Sequence, residues 1–210
     1  MKPSNGPRDP RQIEAESFAI IDREVGRHDF DEGQWPVVRR IIHTTADFEF
    51  ARSTCFSAGA IAAGIGALRR GESVFCDTSM AMSGVNKLRL ASFGSEIRCH
   101  IADEDVAREA RREGVTRATL ALRKGAAAGC GIYLIGNAPT ALFELLHLTE
   151  QGKAAPSLVI GVPVGFVGAE ESKEELFASR LPFITCRGRK GGSAIAAAVL
   201  NALMIQAEES

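Results

Sequence analysis

Apolar residues in the second half of the chain fall into short runs that alternate with longer segments of helical spacing. One unit begins with four consecutive apolar residues, Ile132–Ile135, a length typical of a buried strand. Gly136 and Asn137 end the run, and Pro139 then opens a segment in which leucines recur at helical spacing. Proline is favoured in the first turn of a helix because the N–H group that it lacks would have no partner there. The pattern predicts a strand, a tight turn and a helix.

The same design occurs twice more toward the carboxyl terminus, over Ser157–Glu175 and Pro182–Leu203. Three consecutive strand–loop–helix units indicate a parallel sheet, whose loops at the carboxyl ends of the strands are the usual place for a functional site. The predicted fold is therefore a single α/β domain over residues 1–210, with a mostly parallel, Rossmann-like sheet and helices on both faces. A helix start in such a loop presents free N–H groups and attracts anions.

The amino-terminal half predicts the remaining elements. Residues 1–8 are polar and rich in proline and glycine, and we expect a flexible arm there. Strands are predicted over Ser73–Cys76 and Glu96–Ile101. The predicted helices run from Pro10 to about Val25, over Trp35–Thr44, from a Ser57 cap to Gly71, from an Asp103 cap to Gly114, and from Thr116 to about Lys124, with a short helix and loop over Met80–Leu90.

Composition excludes several classes of protein. With 45% apolar residues, 24% charged residues and a formal net charge of −1, the chain has no general attraction for nucleic acid or an anionic membrane. The five cysteines form no CxxC pair, and three of them lie in predicted strands, which indicates core residues in a reducing compartment. The first residues lack the apolar region of a secretory signal, and no apolar run reaches transmembrane length. These features predict a cytoplasmic protein.

The sequence lacks the common catalytic and nucleotide-binding motifs. The segment around Gly188–Ser193 does not have the order of a phosphate-binding loop, and the glycine pair at Gly129 and Gly131 precedes a strand instead of following one. Tight turns and anion binding both remain possible reasons for these glycines. No GxSxG, no HExxH and no cluster of histidines and carboxylates at metal spacing is present, so a metal held by the protein is not expected.

His43 is the candidate catalytic residue that the residues alone suggest. It lies near the carboxyl end of a predicted helix, beside Thr44, Thr45 and Asp47. A helix carboxyl end favours a positive charge, which suits a general acid, although a structural or solvated histidine is the alternative. Ser17 interrupts the apolar stripe of the first helix, and its hydroxyl could either bond its own helix backbone or meet a ligand.

Basic side chains recur in or beside the predicted loops. They are either solvated surface charges or a set of contacts for a ligand with several carboxylates. The members of this group are Lys87, Arg89, Arg117, Arg187, Arg189 and Lys190.

Several ordered segments together resemble the precorrin-8 methylmutases of cobalamin (vitamin B12) synthesis. The resemblance covers residues 13 to 204, and HTTADF and MSGVNKLRLA are more similar to the cobalt-dependent form than to the metal-free one. The segments are His43–Phe48, Asp77–Leu90, Gly136–Phe143, Gly161–Ala169 with Glu171–Lys173, and Gly188–Ser193.

The resemblance implies an α/β isomerase that moves a methyl group from C-11 to C-12 of a tetrapyrrole and works as a homodimer with active sites near the subunit interface. It implies that His43 is catalytic and that Ser17 and Arg117 lie near the substrate. Asn86 stands where one form of the family has threonine, and Arg117 is followed by Ala118 and Thr119 where Ser-Ala is expected. No cofactor is expected, because any cobalt would belong to the substrate.

The loops add further expected contacts with substrate carboxylates. The complete expected substrate-binding set is Ser17, Asn86, Lys87, Arg117, Asn137, Arg189 and Ser193. Two other functions are compatible with the same loops: a tetrapyrrole carrier without chemistry, and a nucleotide-binding Rossmann-like enzyme.

Overall fold

The computed structural model describes residues 9–209, so the predicted arm at residues 1–8 lies outside the described chain. Within it, helices and strands alternate in the carboxyl-terminal half as the sequence predicts. The strands are β1 (Thr54–Phe56), β2 (Val74–Cys76), β3 (Ile97–Arg98), β4 (Ile132–Ile135), β5 (Leu158–Gly161) and β6 (Phe183–Cys186). The helices are α1 (Pro10–Val25), α2 (Gln34–Thr45), α3 (Phe50–Ser53), α4 (Ala60–Arg69), α5 (Ser79–Gly84), α6 (Lys87–Ser92), α7 (Glu104–Glu113), α8 (Arg117–Ala127), α9 (Pro139–Glu150), α10 (Ala169–Ala178) and α11 (Ser193–Glu209).

The six strands form one sheet in the order β1-β6-β5-β4-β2-β3. All neighbouring pairs are parallel except β1 with β6, which is antiparallel. The prediction of a mostly parallel sheet is confirmed. The sequence analysis missed β1, because a strand of only three residues, one buried and two partly exposed, carries almost no periodic signal. The predicted strand over Glu96–Ile101 was too long, since only Ile97 and Arg98 pair with β2.

Helices cover both faces of the sheet and enclose two apolar cores. On one face, α2, α4 and α11 pack around Ile41, Leu68 and Leu203. On the other, α8, α9 and α10 pack around Leu122, Leu142 and Leu176. The two layers account for the continuous apolar runs of β4, β5 and β6, in which every residue is buried.

Two predicted helix caps are wrong in detail. Ser57 does not cap α4; its hydroxyl accepts a hydrogen bond from the backbone N–H of Phe183 at 2.8 Å and joins β1 to β6, while Gly59 precedes the helix with φ of 73°. Asp103 does precede α7, but its carboxylate accepts from Lys124 at 2.7 Å instead of from the helix backbone. In both cases a tertiary partner has displaced the local one.

Among residues 9–209, no helix is long and apolar enough to cross a membrane.

Candidate functional site

The carboxyl ends of β2, β4, β5 and β6 meet at one edge of the sheet, and the loops that follow them are tightly packed. A Cβ atom placed on Gly136 would lie 2.7 Å from the Cα of Ser193. One placed on Gly191 would lie 2.1 Å from the carbonyl oxygen of Val162. Real side chains do not approach backbone so closely, so glycine is required at both positions for close backbone approach.

The start of α9 is occupied by the protein's own Asp77, which follows β2. This carboxylate is completely buried and accepts backbone N–H groups from Gly136 at 3.2 Å, Asn137 at 2.7 Å and Ala138 at 2.8 Å. Burial raises the pKa of Asp77, and the three N–H donors oppose that rise. The expectation that these N–H groups would hold a substrate carboxylate is therefore wrong. Only the exposed side chain of Asn137 remains available to a ligand.

Ser193 opens α11, but its side chain points into the structure. It is buried, and its hydroxyl lies 2.8 Å from that of Thr78. The Thr78 hydroxyl also accepts the backbone N–H of Ala81 and so caps α5. The hydroxyl expected to bind substrate instead connects the loops after β2 and β6.

His43 is exposed near the carboxyl end of α2, as predicted. Its ring meets the ring of Phe18 edge-on, with the centroids 5.3 Å apart. The imidazole lines two neighbouring clefts at once. The first, of about 340 Å³, also includes Ser17 and Phe48. The second, of about 470 Å³, also includes Asn86 and Arg89. The structure thus brings together three residues of the expected site, His43, Ser17 and Asn86.

The two polar neighbours of His43 are held by local hydrogen bonds. The Ser17 hydroxyl donates to the carbonyl of Ile13 at 2.7 Å, so its interpretation as a backbone-bonded helix serine is confirmed, although it still lines the cleft. Asn86 caps α6 by accepting the N–H of Arg89 at 3.0 Å, and its own N–H donates to Asn201 at 2.9 Å. No hydrogen bond from the Asn86 side-chain amide nitrogen is found within residues 9–209.

The other expected contacts do not converge on His43 within one chain. Lys87 is exposed at the start of α6 but lines neither cleft. Arg117 is exposed at the start of α8, which packs against α9 on the opposite face of the sheet from α2. Arg189 is exposed in the loop after β6, with its guanidinium 5.6 Å from the ring centroid of Phe166.

The segment after His43 is held by the loop after β6. The ammonium of Lys190 lies 2.5 Å from a carboxylate oxygen of Asp47 and 2.7 Å from one of Glu49. The hydrogen bond from Lys190 lowers the pKa of Asp47, and Asp47 in turn raises the pKa of Lys190. These two ion pairs, called the Lys190 clamp below, hold the chain that leaves α2 directly after His43.

A buried lysine supports that clamp. Lys173 on α10 is 1% exposed, and its ammonium donates to the carbonyl oxygen of Lys190 at 2.6 Å. Burial lowers its pKa. The sequence analysis missed this role, yet a signal was present. Lys173 falls at helical spacing with the core residues Ala169 and Leu176, a position where a solvated lysine is not expected.

Within the described residues, no group of three or more histidines, cysteines and carboxylates is placed to hold a metal ion.

Comparison with known proteins identifies the family of the chain. The family CbiC, precorrin-8X methylmutase, matches residues 12–206. The chain belongs to the precorrin-8X methylmutase family. It is 52% identical over 200 residues to the cobalt-precorrin-8 methylmutase of Priestia megaterium, covering 95% of this chain and 89% of that protein. It is 46% identical over 204 residues to the cobalt-precorrin-8 methylmutase of Leptospira interrogans, covering 93% of each.

A solved structure supports the same placement. The crystal structure of the precorrin-8X methylmutase from Thermus thermophilus has a TM-score of 0.88 and 44% sequence identity, covering 95% of this chain and 97% of that one. The methylmutase fold therefore extends over almost the whole chain, and the resemblance seen in its sequence segments is confirmed.

Proposed function

We propose that this methylmutase is the isomerase that moves a methyl group from C-11 to C-12 of precorrin-8 or its cobalt form, giving hydrogenobyrinate or cobyrinate. Membership of the family over residues 12–206 supports the reaction. The observation that carries the proposal to particular residues is the position of His43, exposed on the wall shared by two clefts at the carboxyl edge of the sheet.

The reaction requires a path in which methyl never separates from the ring, because a free methyl ion would be too costly. A concerted shift within the conjugated macrocycle meets that requirement. Protonation of the macrocycle makes the receiving carbon more electron-poor, and we assign this proton to the imidazole of His43. His43 lies in the last turn of α2, and the ion pair of Lys190 with Asp47 holds the chain beside it.

The second contribution is a fixed substrate geometry. Arg89 and Asn86 line the cleft beside His43 and offer donors to the acetate and propionate groups of the tetrapyrrole. Lys87, Arg117, Asn137 and Arg189 are exposed outside the two clefts, and we assign them to carboxylates farther from His43.

We further propose that the working form is a homodimer. Three apolar side chains of α1 and the segment after α2 are exposed, Ile13 at 48%, Ile20 at 44% and Phe48 at 39%, and the last two line a cleft with His43. A second copy of the chain would cover them. The resemblance to the family also implies a homodimer.

The natural substrate that we favour contains cobalt. The relatives from Priestia megaterium and Leptospira interrogans act on the cobalt form, as their names state. Cobalt would then arrive within the substrate, and we assign no cofactor to the protein. We place the reaction in the cytoplasm, since the five cysteines are all free and suit a reducing compartment.

A histidine substitution separates catalysis from binding. In His43→Asn, turnover of precorrin-8 or its cobalt form, followed as a visible-spectrum change at constant mass, should fall by at least roughly 100-fold. Tetrapyrrole affinity, measured by fluorescence quenching, should change only a few-fold, because the ring carboxylates are held elsewhere. The control is His147→Asn, an exposed histidine on α9 that lines neither cleft.

Two outcomes would overturn the proposal. Lost binding with normal turnover per bound substrate would remove the acid role from His43. A wild-type spectral shift that reverses when the pigment is extracted would indicate a carrier instead of an isomerase.

A further inference from the structure

Two cysteines lie opposite each other where β2 and β3 end. The parallel register pairs Val74 with Ile97 and Phe75 with Arg98, where β3 ends; continued by one residue, it places Cys99 opposite Cys76. Neighbouring strands are about 4.8 Å apart. That separation lies inside the Cα–Cα range of roughly 4.4–6.8 Å that a disulfide spans. Both cysteines belong to the same face of the sheet, because Cys76 is a buried member of the apolar core there and Cys99 packs against that core.

The two thiols differ in accessibility. The Cys76 sulfur lies 3.5 Å from the carbonyl oxygen of Arg98, the residue directly before Cys99. Cys76 is completely buried, whereas Cys99 is half-buried and reachable from solvent. The neighbouring Cys76 thiol lowers the pKa of Cys99 to about 6, helped by the Ile101 backbone and the Ser79 side chain and opposed by burial and the charge of Asp77. The pKa is therefore lowered at the accessible thiol and raised at the buried one.

The remaining cysteines show what this arrangement requires. Cys55 and Cys186 also lie on adjacent strands, but the register pairs Cys55 with Thr185 and Thr54 with Cys186. An offset of one residue directs their side chains to opposite faces of the sheet. Cys130 is buried just before β4. Adjacent strands alone therefore do not make a reactive pair.

We propose that Cys76 and Cys99 form a peroxide-reactive dithiol at the edge of the sheet, closing to a disulfide. The Cys99 thiolate attacks a peroxide oxygen, the O–O bond breaks, and Cys99 becomes a sulfenic acid while hydroxide leaves. The Cys76 sulfur then attacks the Cys99 sulfur, its proton leaves with the sulfenic oxygen as water, and the S–S bond forms. Sulfur is oxidised and peroxide is reduced, with two thiols and one peroxide giving one disulfide and two waters. This site does not depend on the proposed isomerase activity.

The test is mass spectrometry of the purified full chain after brief treatment with hydrogen peroxide. The wild type should lose two hydrogen atoms, and digestion should yield one peptide pair joined through Cys76 and Cys99 that a phosphine reductant separates. Cys76→Ser should stop at a sulfenic acid on Cys99, which dimedone traps. Cys99→Ser should show neither product, and Cys130→Ser should behave as wild type.

Circular dichroism of each variant confirms that the fold is intact before treatment. An unchanged wild-type mass, a linkage between Cys55 and Cys186, or accumulation of sulfinic acid on Cys99 in the wild type would overturn the proposal. In the last case the buried thiol would have failed to reach its partner.

Discussion

The start of α9 and the end of α2 lie at the same edge of the sheet, and both are helix ends that favour a charge. At α9 the protein itself supplies the charge, since the buried carboxylate of Asp77 accepts hydrogen bonds from the N–H groups of Gly136, Asn137 and Ala138. At α2 the end carries exposed His43 between two open clefts. A helix end therefore predicts which sign of charge is stabilised, but not whether the ligand or the protein supplies it. A carboxylate already in the chain has no association entropy to lose, so it takes the place first.

The largest expected effect is a loss of stability at the start of α9, where Asp77 accepts hydrogen bonds from the free N–H groups. In Asp77→Ala three buried N–H donors lose their acceptor, and the free energy of unfolding should fall by about 2–4 kcal/mol in urea titration. The matched control is Asp105→Ala, because the Asp105 carboxylate pairs with Lys124 at the surface. That substitution should lower the free energy of unfolding far less, because solvent screens an exposed ion pair.

An Asp77→Ala variant as stable as the Asp105→Ala control would contradict the structural role of Asp77. The α9 start would then be free to receive a ligand, and the comparison between the two helix ends would disappear.

Much of this architecture could be predicted from sequence because local and global signals agree. The runs Ile132–Ile135 and Phe183–Cys186 are short and largely apolar, as is typical of fully buried parallel strands, and each is followed by a helical segment. His43 and Ser17 could be placed in one site only through the family resemblance. Periodicity assigns each to a helix but does not say that two helices bring them together.

The features that were missed depend on partners distant in sequence. The carboxylate of Asp77 meets a loop 59 to 61 residues away, and Ser193 meets Thr78 across 115 residues. Nothing in a local window distinguishes an aspartate that will be buried under a neighbouring loop from one that will be solvated. The same limit explains Ser57, whose hydroxyl bonds Phe183 instead of its own helix.

A smaller expected effect, on tetrapyrrole affinity, distinguishes the end of α2 from the start of α9. Asn86→Ser keeps an oxygen that can cap α6 but shortens the side chain that lines the His43 cleft. Tetrapyrrole affinity should fall by roughly 5-fold, about 1 kcal/mol, in fluorescence titration. Asn137→Ser makes the matched change at the α9 start, where the backbone donors already serve Asp77, and affinity should fall by less.

If Asn137→Ser weakened binding more than Asn86→Ser, the start of α9 would contribute more to tetrapyrrole binding than the cleft beside His43, contrary to our expectation. Thermal unfolding of both variants checks that neither change acts through stability.

The smallest expected effect lies beneath the open end, where buried Lys173 holds the carbonyl of Lys190, whose side chain clamps Asp47. Burial lowers the pKa of Lys173 from its usual value of 10.5, while Cys186, Glu170 and Glu174 oppose that shift. Between the lowered pKa and 10.5 the unfolded chain binds more protons at this lysine than the folded chain does. This lysine's contribution to the free energy of unfolding therefore rises with pH in that window.

Lys173→Met removes that contribution, so the stability of the wild type relative to this variant should increase as pH rises from 7 to 10. Urea unfolding at several pH values measures the difference, and comparing slopes removes the constant cost of the lost hydrogen bond. Lys153→Met, at an exposed lysine after α9, controls for the loss of a positive charge. A stability difference that stays constant or shrinks with pH would show that Lys173 is hydrated in the folded protein. The loop after β6, whose Lys190 holds the segment after His43, would then not be supported by a buried lysine.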